Sequence, residues 1–232
     1  MSKKPEQQQI KNETPIPCKV ILVGESGVGK TSIISRFINK YDEKPESTLS
    51  SYFTNKTIIV DGYKLNLEVW DTAGQEIYRS ITSLFYKDAY ICLLVYDITN
   101  KTTFNCIRDY WYENVITSGT AGMILGVAGN KCDLYEEEDV SEKEARDFSA
   151  SINACFKLTS AKLNTSIDDM FNMLGQQFIK SDIMKTLMPK YIDKNENNKA
   201  LSIERIKIEN NNENTQNKKE KTKNKKSKKS FC

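Results

Sequence analysis

Between its N-terminal segment and its first helix the chain reads Gly24-Glu25-Ser26-Gly27-Val28-Gly29-Lys30-Thr31, a match to the pattern GxxxxGK[ST]. The apolar run Val20, Ile21, Leu22, Val23 leads into it, and Ile33, Ile34, Phe37 and Ile38 follow at helical spacing. A loop between a strand and a helix is what a phosphate cradle requires. Glycines let successive backbone N–H groups converge on one anion, and the helix adds its positive N-terminal end. Lys30 brings a mobile positive charge and Thr31 a hydroxyl suited to Mg2+, with Ser26, Gly27, Val28, Gly29 and Ser32 as the remaining cradle positions.

Outward from this loop, Cys18 to Val23 is a predicted strand, 31–39 a helix, and the polar stretch Lys40 to Ser51, containing Pro45, an exposed loop. Thr57 to Val60 and Tyr63 to Trp70 are strand-like. The second alternates Leu65, Leu67 and Val69 with Lys64, Asn66 and Glu68, and Asp61-Gly62 between the two predicts an antiparallel hairpin. The apolar run Ala89 to Tyr96 suits a strand buried on both faces. Then come a helix over 103–117 with Phe104, Ile107, Trp111 and Val115 on one face, a strand at Met123 to Ala128, and a helix over 141–152. Ser141 caps that helix and Glu144 completes a capping box. A strand at Cys155 to Leu158 and a last helix from Ser166 bearing Ile167, Met170, Phe171, Leu174 and Phe178 close the series.

This alternation predicts an α/β fold: a doubly wound, mostly parallel six-stranded sheet with one antiparallel strand and helices on both faces, its ligand crevice at the carboxyl ends of the strands. Residues 1–17 are expected to be a flexible leader and 18–185 the folded domain. Residues 186–232, rich in Asn, Lys and Glu, are expected to be a disordered tail.

Composition narrows the chemistry. The chain has 232 residues and no histidine, which excludes Ser-His-Asp and Cys-His nucleophilic catalysis and His-ligated metals. Six cysteines without CxxC spacing point to buried thiols, Cys232 excepted. No apolar run is long enough to span a bilayer and the N-terminus lacks a signal-peptide core, so a cytosolic location is expected. The net charge of +3 is uneven: residues 218–229 hold eight lysines and one glutamate, or +7, leaving −4 for everything else.

Further polar stretches fall at predicted strand ends. After the third strand, Asp71 is placed to hold Mg2+ through water, Gly74 to offer a bare N–H to a terminal phosphate, and Gln75 to orient a water. After the fifth, Asn130-Lys131-Cys132-Asp133 presents a carboxylate that can accept from adjacent N–H and NH2 groups, which guanine has and adenine lacks. After the sixth, Ser160-Ala161-Lys162 offers a backbone N–H to a ring carbonyl. Thr48 is a candidate second hydroxyl for Mg2+.

These motifs, in this order, closely resemble the Ras-like small GTPases with their P-loop G domain, and within them the Rab type, over residues 18–180. The nucleotide motifs are GESGVGKT at 24–31, Thr48 in EST, DTAGQE at 71–76, NKCD at 130–133 and SAK at 160–162. The Rab likeness comes from Gln75 to Thr82, from Leu94 to Asn100, and from Val60-Asp61-Gly62 leading into Trp70. EST with Leu49 resembles endocytic Rabs. The resemblance implies GTP or GDP with Mg2+ as ligands. Lys30 would meet the β and γ phosphates, Thr31, Thr48 and Asp71 the metal, and Gly74 the γ-phosphate. Tyr41 would lie beside the base, and Asn130, Lys131, Asp133, Ser160, Ala161 and Lys162 would form the guanine site. Gln75 would position the water for in-line hydrolysis, and Phe53, Trp70 and Phe85 would meet effectors.

The loop at 24–31 contains no arginine, so the rate factor of about 10^3 to 10^5 from an arginine finger is expected from a separate activating protein. Of the nearest alternatives, Arg36 is expected to point along its helix away from the loop and Arg79 to cover the mobile region or pair with an effector. An exchange factor and effectors are further expected partners; nucleic acid is not, and a monomer is expected. The lysine run before Cys232 resembles a polybasic, prenylated anchor on the cytosolic face of an intracellular membrane, endosomal or Golgi-related. Rabs usually end in CC or CxC, whereas this chain ends in one cysteine. Geranylgeranylation of Cys232 is the first expectation, reversible acylation the second and an unmodified tail the third. The alternative reading is a nuclear-transport-type GTPase without a membrane anchor.

Overall fold

The computed structural model describes residues 10–12, 14–41, 52–71 and 85–191. By its internal contacts the chain divides into two units, Met1–Leu187 and Met188–Cys232, and every element named here lies in the first. Strand β1 (Ile16–Val23) leads through the glycine loop to helix α1 (Lys30–Phe37). Strands β2 (Tyr52–Val60) and β3 (Tyr63–Asp71) form the hairpin, and β4 is Ile91–Asp97. Helix α2 runs Lys101–Cys106, passes through a π-helical turn at Ile107–Trp111 and continues as Tyr112–Ser118. Strand β5 (Ile124–Asn130), helix α3 (Glu142–Ser151), strand β6 (Cys155–Leu158) and helix α4 (Ile167–Lys180) complete the order.

The sheet order is β2-β3-β1-β4-β5-β6, with β2–β3 the antiparallel pair and the other neighbours parallel. The predicted architecture is therefore the observed one. Asp61 and Gly62 both have positive φ, 48° and 83°, as a two-residue hairpin turn requires. All seven residues of β4 are buried, which explains their unbroken apolar character.

The two faces of the sheet are covered by different helices. Ile21, Val23, Cys92, Leu94 and Tyr96 pack with Phe104, Ile107, Trp111 and Val115 of α2 and with Ala145 of α3. On the other side α1 is locked to α4 by Phe37 and Phe171, stacked with centroids 3.8 Å apart. A Cβ on Gly126 of β5 would fall 2.7 Å from Met170 and 2.9 Å from Leu174, so α4 lies directly on that strand. Truncating a buried aromatic such as Phe171 leaves a cavity costing about 3–5 kcal/mol, so this contact fixes where α1 sits and hence where the glycine loop ends.

Several boundaries differ from expectation for identifiable reasons. Residues 10–12 and 14–17 are not a free leader. Ile16 is fully buried in β1, and Asn12 is only 7% exposed. Asn12 Nδ2 donates to the carbonyls of Thr14 (2.8 Å) and Lys64 (3.0 Å), and its Oδ1 accepts from the Lys64 N–H (2.8 Å). This side-chain amide extends the ladder one step beyond the Ile16–Leu65 pair, a role that composition does not reveal. Strand β2 begins at Tyr52, five residues before the predicted start. The polar run Thr54-Asn55-Lys56 shows no apolar alternation, and it is held as strand by backbone pairing with Val69, Glu68 and Leu67. The 103–117 helix does keep Phe104, Ile107, Trp111 and Val115 buried, but through a π turn. Its loosened Tyr110 carbonyl accepts from the Asn114 side chain at 2.7 Å. Among the described residues, Cys18, Cys92 and Cys155 are buried free thiols, while Cys106 and Cys132 are half-buried.

Candidate nucleotide site

The glycine loop has the backbone that its sequence demands. Gly24 and Gly29 hold φ of 146° and 98°; a Cβ would fall 2.1 Å from the Val95 carbonyl oxygen at the first and 2.2 Å from Asn130 Nδ2 at the second. Only glycine meets both constraints. The Ile33 N–H donates to the Gly29 carbonyl at 2.9 Å, starting α1 immediately, so the positive N-terminal end of the helix lies at the loop.

Lys30, 6% exposed, curls back over the loop, donating from Nζ to the carbonyls of Gly24 and Glu25, each at 2.8 Å. Burial lowers its pKa to about 8, against the opposing pull of Asp71 and Glu25. A buried cation whose pKa is depressed favours a polyanion that restores its charge. Thr31 Oγ1 donates to Asp71 Oδ2 at 2.5 Å, joining the start of α1 to the end of β3. This hydroxyl and carboxylate are hard oxygen donors of the kind Mg2+ takes when phosphates and water supply the rest of its shell, so the residues present fit that ion.

A cavity of about 230 Å³ adjoins the loop, lined by Gly27, Gly29, Ser32, Tyr41, Asn130, Lys131, Asp133, Leu134, Ala161 and Lys162. The three predicted base-site segments thus converge with the phosphate cradle. Asn130, 2% exposed, is the staple among them. Its Nδ2 donates to the Val28 carbonyl at 2.8 Å, and its Oδ1 accepts from Thr159 Oγ1 and from the Ala161 N–H, both at 3.3 Å. Lys131 takes a left-handed φ of 66° and its Nζ pairs with Asp97 Oδ2 at 2.5 Å. Asp133 Oδ1 accepts from Ser160 Oγ at 2.5 Å, and the same Ser160 oxygen accepts from the Leu163 N–H at 3.0 Å. The 130–133 and 160–162 segments are therefore one hydrogen-bonded unit.

Three contributors escaped the sequence reading. Arg36, expected to point along its helix away from the glycine loop, makes its contacts at the base end. Its Nε and Nη2 donate to the carbonyls of Ala161 and Lys162, each at 2.8 Å, and its guanidinium carbon lies 3.5 Å from the centroid of the Tyr41 ring. Asp97, 7% exposed at the carboxyl end of β4 and paired in register with Asn130, steers Lys131. An acid closing a wholly apolar strand was the available signal. Trp111 Nε1 donates to Glu25 Oε1 at 2.9 Å, tying the π turn of α2 to the glycine loop.

Phe53, Trp70 and Phe85 lie together. Phe53 and Trp70 are partners across the β2–β3 ladder with ring centroids 5.0 Å apart, and Phe85 lies 5.8 Å from Trp70. Phe53 is 45% exposed, so the cluster has an outward face. Thr48, Gly74, Gln75, Arg79, the lysine run 218–229 and Cys232 lie outside the described residues. Among the described residues no helix is long and apolar enough to cross a membrane.

Comparison with known proteins agrees with this geometry. Residues 19–180 match the Ras family. Ras-related protein Rab-1C of Dictyostelium discoideum is 38% identical over 168 residues, 72% of this chain and 83% of that protein. Ras-related protein Rab-8A of Bos taurus is 37% identical over 170 residues, covering 73% and 81%. Ras-related protein Rab-22A of Homo sapiens is 34% identical over 165 residues, covering 71% and 84%. The chain belongs to the Ras family, as a Rab-type small GTPase that hydrolyses GTP.

Proposed function

We propose that this protein is a GTP/GDP switch in intracellular vesicle or membrane traffic, binding guanine nucleotide with Mg2+ in the cavity beside the glycine loop. The observation that carries the reading is the convergence on that cavity of the loop Gly24–Thr31, the segments 130–133 and 160–162, and the Thr31–Asp71 pair. The loop N–H groups and Lys30 hold the phosphates; Asp133 accepts from the guanine edge; Tyr41 lies beside the ring. Thr31, Thr48 and Asp71 would hold Mg2+, which would supply charge neutralisation at the phosphates. Gln75 orients the attacking water, and Lys30 stabilises charge moving onto the leaving oxygens. Contacts of Thr48 and Gly74 with the γ-phosphate end on hydrolysis, and relaxation of their loops is the output.

The aromatic face of Phe53, Trp70 and Phe85 is suited to an effector present only in the GTP state. An activating protein supplies the arginine that the loop lacks, and an exchange factor resets the switch. The lysine run and a lipidated Cys232 together place the protein on the cytosolic face of an intracellular membrane, each lysine adding about 1 kcal/mol near an anionic leaflet. The lysine run also suits a nuclear address without an anchor; imaging Cys232→Ser separates the two, because loss of membrane staining supports the anchor. The test of the switch itself is Gln75→Leu, which is expected to retain GTP binding while hydrolysis falls; an unchanged hydrolysis rate removes Gln75 from the mechanism.

A further inference from the structure

We propose that Arg36 is the positioning residue of the purine pocket, holding two of its walls in place from the helix that begins at the phosphate cradle. Its fork of donors takes the carbonyls of Ala161 and Lys162, at 2.8 Å each, while its plane covers Tyr41 at 3.5 Å. Tyr41, Ala161 and Lys162 all line the cavity. Asn130 reaches the Ala161 N–H on the opposite edge of the same peptide segment, so residues 161–162 are held through their N–H by β5 and through their carbonyls by α1.

The chemistry suits arginine in particular. A planar guanidinium stays charged at every relevant pH, directs parallel donors at adjacent carbonyls, and still offers a face to an aromatic ring. Lysine, a point charge on a flexible stem, reaches one carbonyl and cannot stack in the same way. Because Arg36 lies in the last turn of α1, whose first residues are Lys30 and Thr31, one short helix fixes the spacing between the phosphate end and the purine walls. The consequence is slow nucleotide release. This inference rests on the assignment of the cavity to guanine nucleotide.

The test uses the full chain loaded with Mg2+ and fluorescently labelled GDP or GTP, chased with excess unlabelled nucleotide. Arg36→Ala is expected to release about tenfold faster, the scale set by losing two hydrogen bonds to a charged donor, with Arg36→Lys between it and the parent. The factor is expected to be the same for GDP and GTP, because both share the base end; disruption of α1 near Thr31 would change their ratio instead. Tyr41→Leu is also expected to speed release, and combining it with Arg36→Ala is expected to give less than the product of the two factors. Release from Arg36→Ala at the parental rate overturns the proposal. So does full multiplication of the two effects, or a factor that differs between GDP and GTP. A parent chain that fails to retain labelled GDP overturns the nucleotide assignment itself, and the proposal with it. Circular dichroism and the melting temperature of each loaded variant separate unfolding from release; if Arg36→Ala does not fold, Arg36→Lys alone decides, and parental release from it counts against the proposal.

Discussion

The phosphate end and the purine end of the site are built by different means. At the phosphate end the work is done by neighbours in sequence: glycine backbone angles, the first turn of α1, and Lys30 reaching carbonyls five and six residues away. At the purine end nearly every contact joins distant parts of the chain. Asn130 reaches Val28, 102 residues away, and Arg36 reaches Ala161 and Lys162, 125 and 126 residues away. Recognition of phosphate is thus a local property of one loop, whereas recognition of the base exists only once α1, β4, β5 and the 160–162 segment have assembled. A long link at the phosphate end, Thr31 to Asp71, is where a metal rather than an anion is expected to be served.

Lys30→Ala strikes the local end and has the largest expected effect. Losing the charge-assisted hydrogen bond to the β-phosphate lowers GDP affinity by about 10^2 to 10^4-fold, read by equilibrium competition. Asp133→Asn strikes the assembled end. GDP affinity falls by about 10^2-fold and xanthosine diphosphate becomes the better ligand, since an amide donates where the carboxylate accepted. Retention of parental GDP affinity would assign the base site wrongly.

Asn130→Ala breaks the comparison itself, because Asn130 touches both ends. The Val28 carbonyl and the Ala161 N–H lose their buried partner, at about 1–3 kcal/mol each, so it should lower the melting temperature as well as the affinity. A smaller effect comes from pH. Lys30 is depressed to about 8 in the free protein and a bound phosphate keeps it charged, so affinity is fully present below about 8 and falls as pH rises, with proton uptake on binding seen by calorimetry in two buffers. The unliganded chain should move the other way: between about 8 and the ordinary 10.5 the unfolded state binds the additional proton, and this group makes the fold more stable as pH rises. Smallest of all, Phe53→Ala should leave nucleotide affinity within error while weakening effector capture, because the aromatic cluster lies on the outer face of the hairpin.

The same division explains what could be read from the amino-acid sequence. The order of strands and helices, the hairpin at Asp61-Gly62 and the glycine loop rest on local periodicity and turn chemistry, and the structure has each of them. The start of β2 at Tyr52 was not legible, because its polar residues are strand only by pairing with β3. Nor was the attachment of residues 10–12, which depends on one asparagine side chain standing in for backbone. Within the site, motif residues were identifiable one by one, but their supports were not. Arg36 on a helix surface reads as a solvated cation until the 160–162 segment is seen beneath it, and Asp97 reads as a strand terminus until Lys131 is beside it.

The central claim is that this assembled purine end makes the protein guanine-specific. Competition on the full chain with Mg2+ tests it most directly: labelled GDP should be displaced by GTP and not by ATP at the same concentration. Equal displacement by ATP would contradict the account, because it would mean that Asp133 and the 160–162 segment do not read the base.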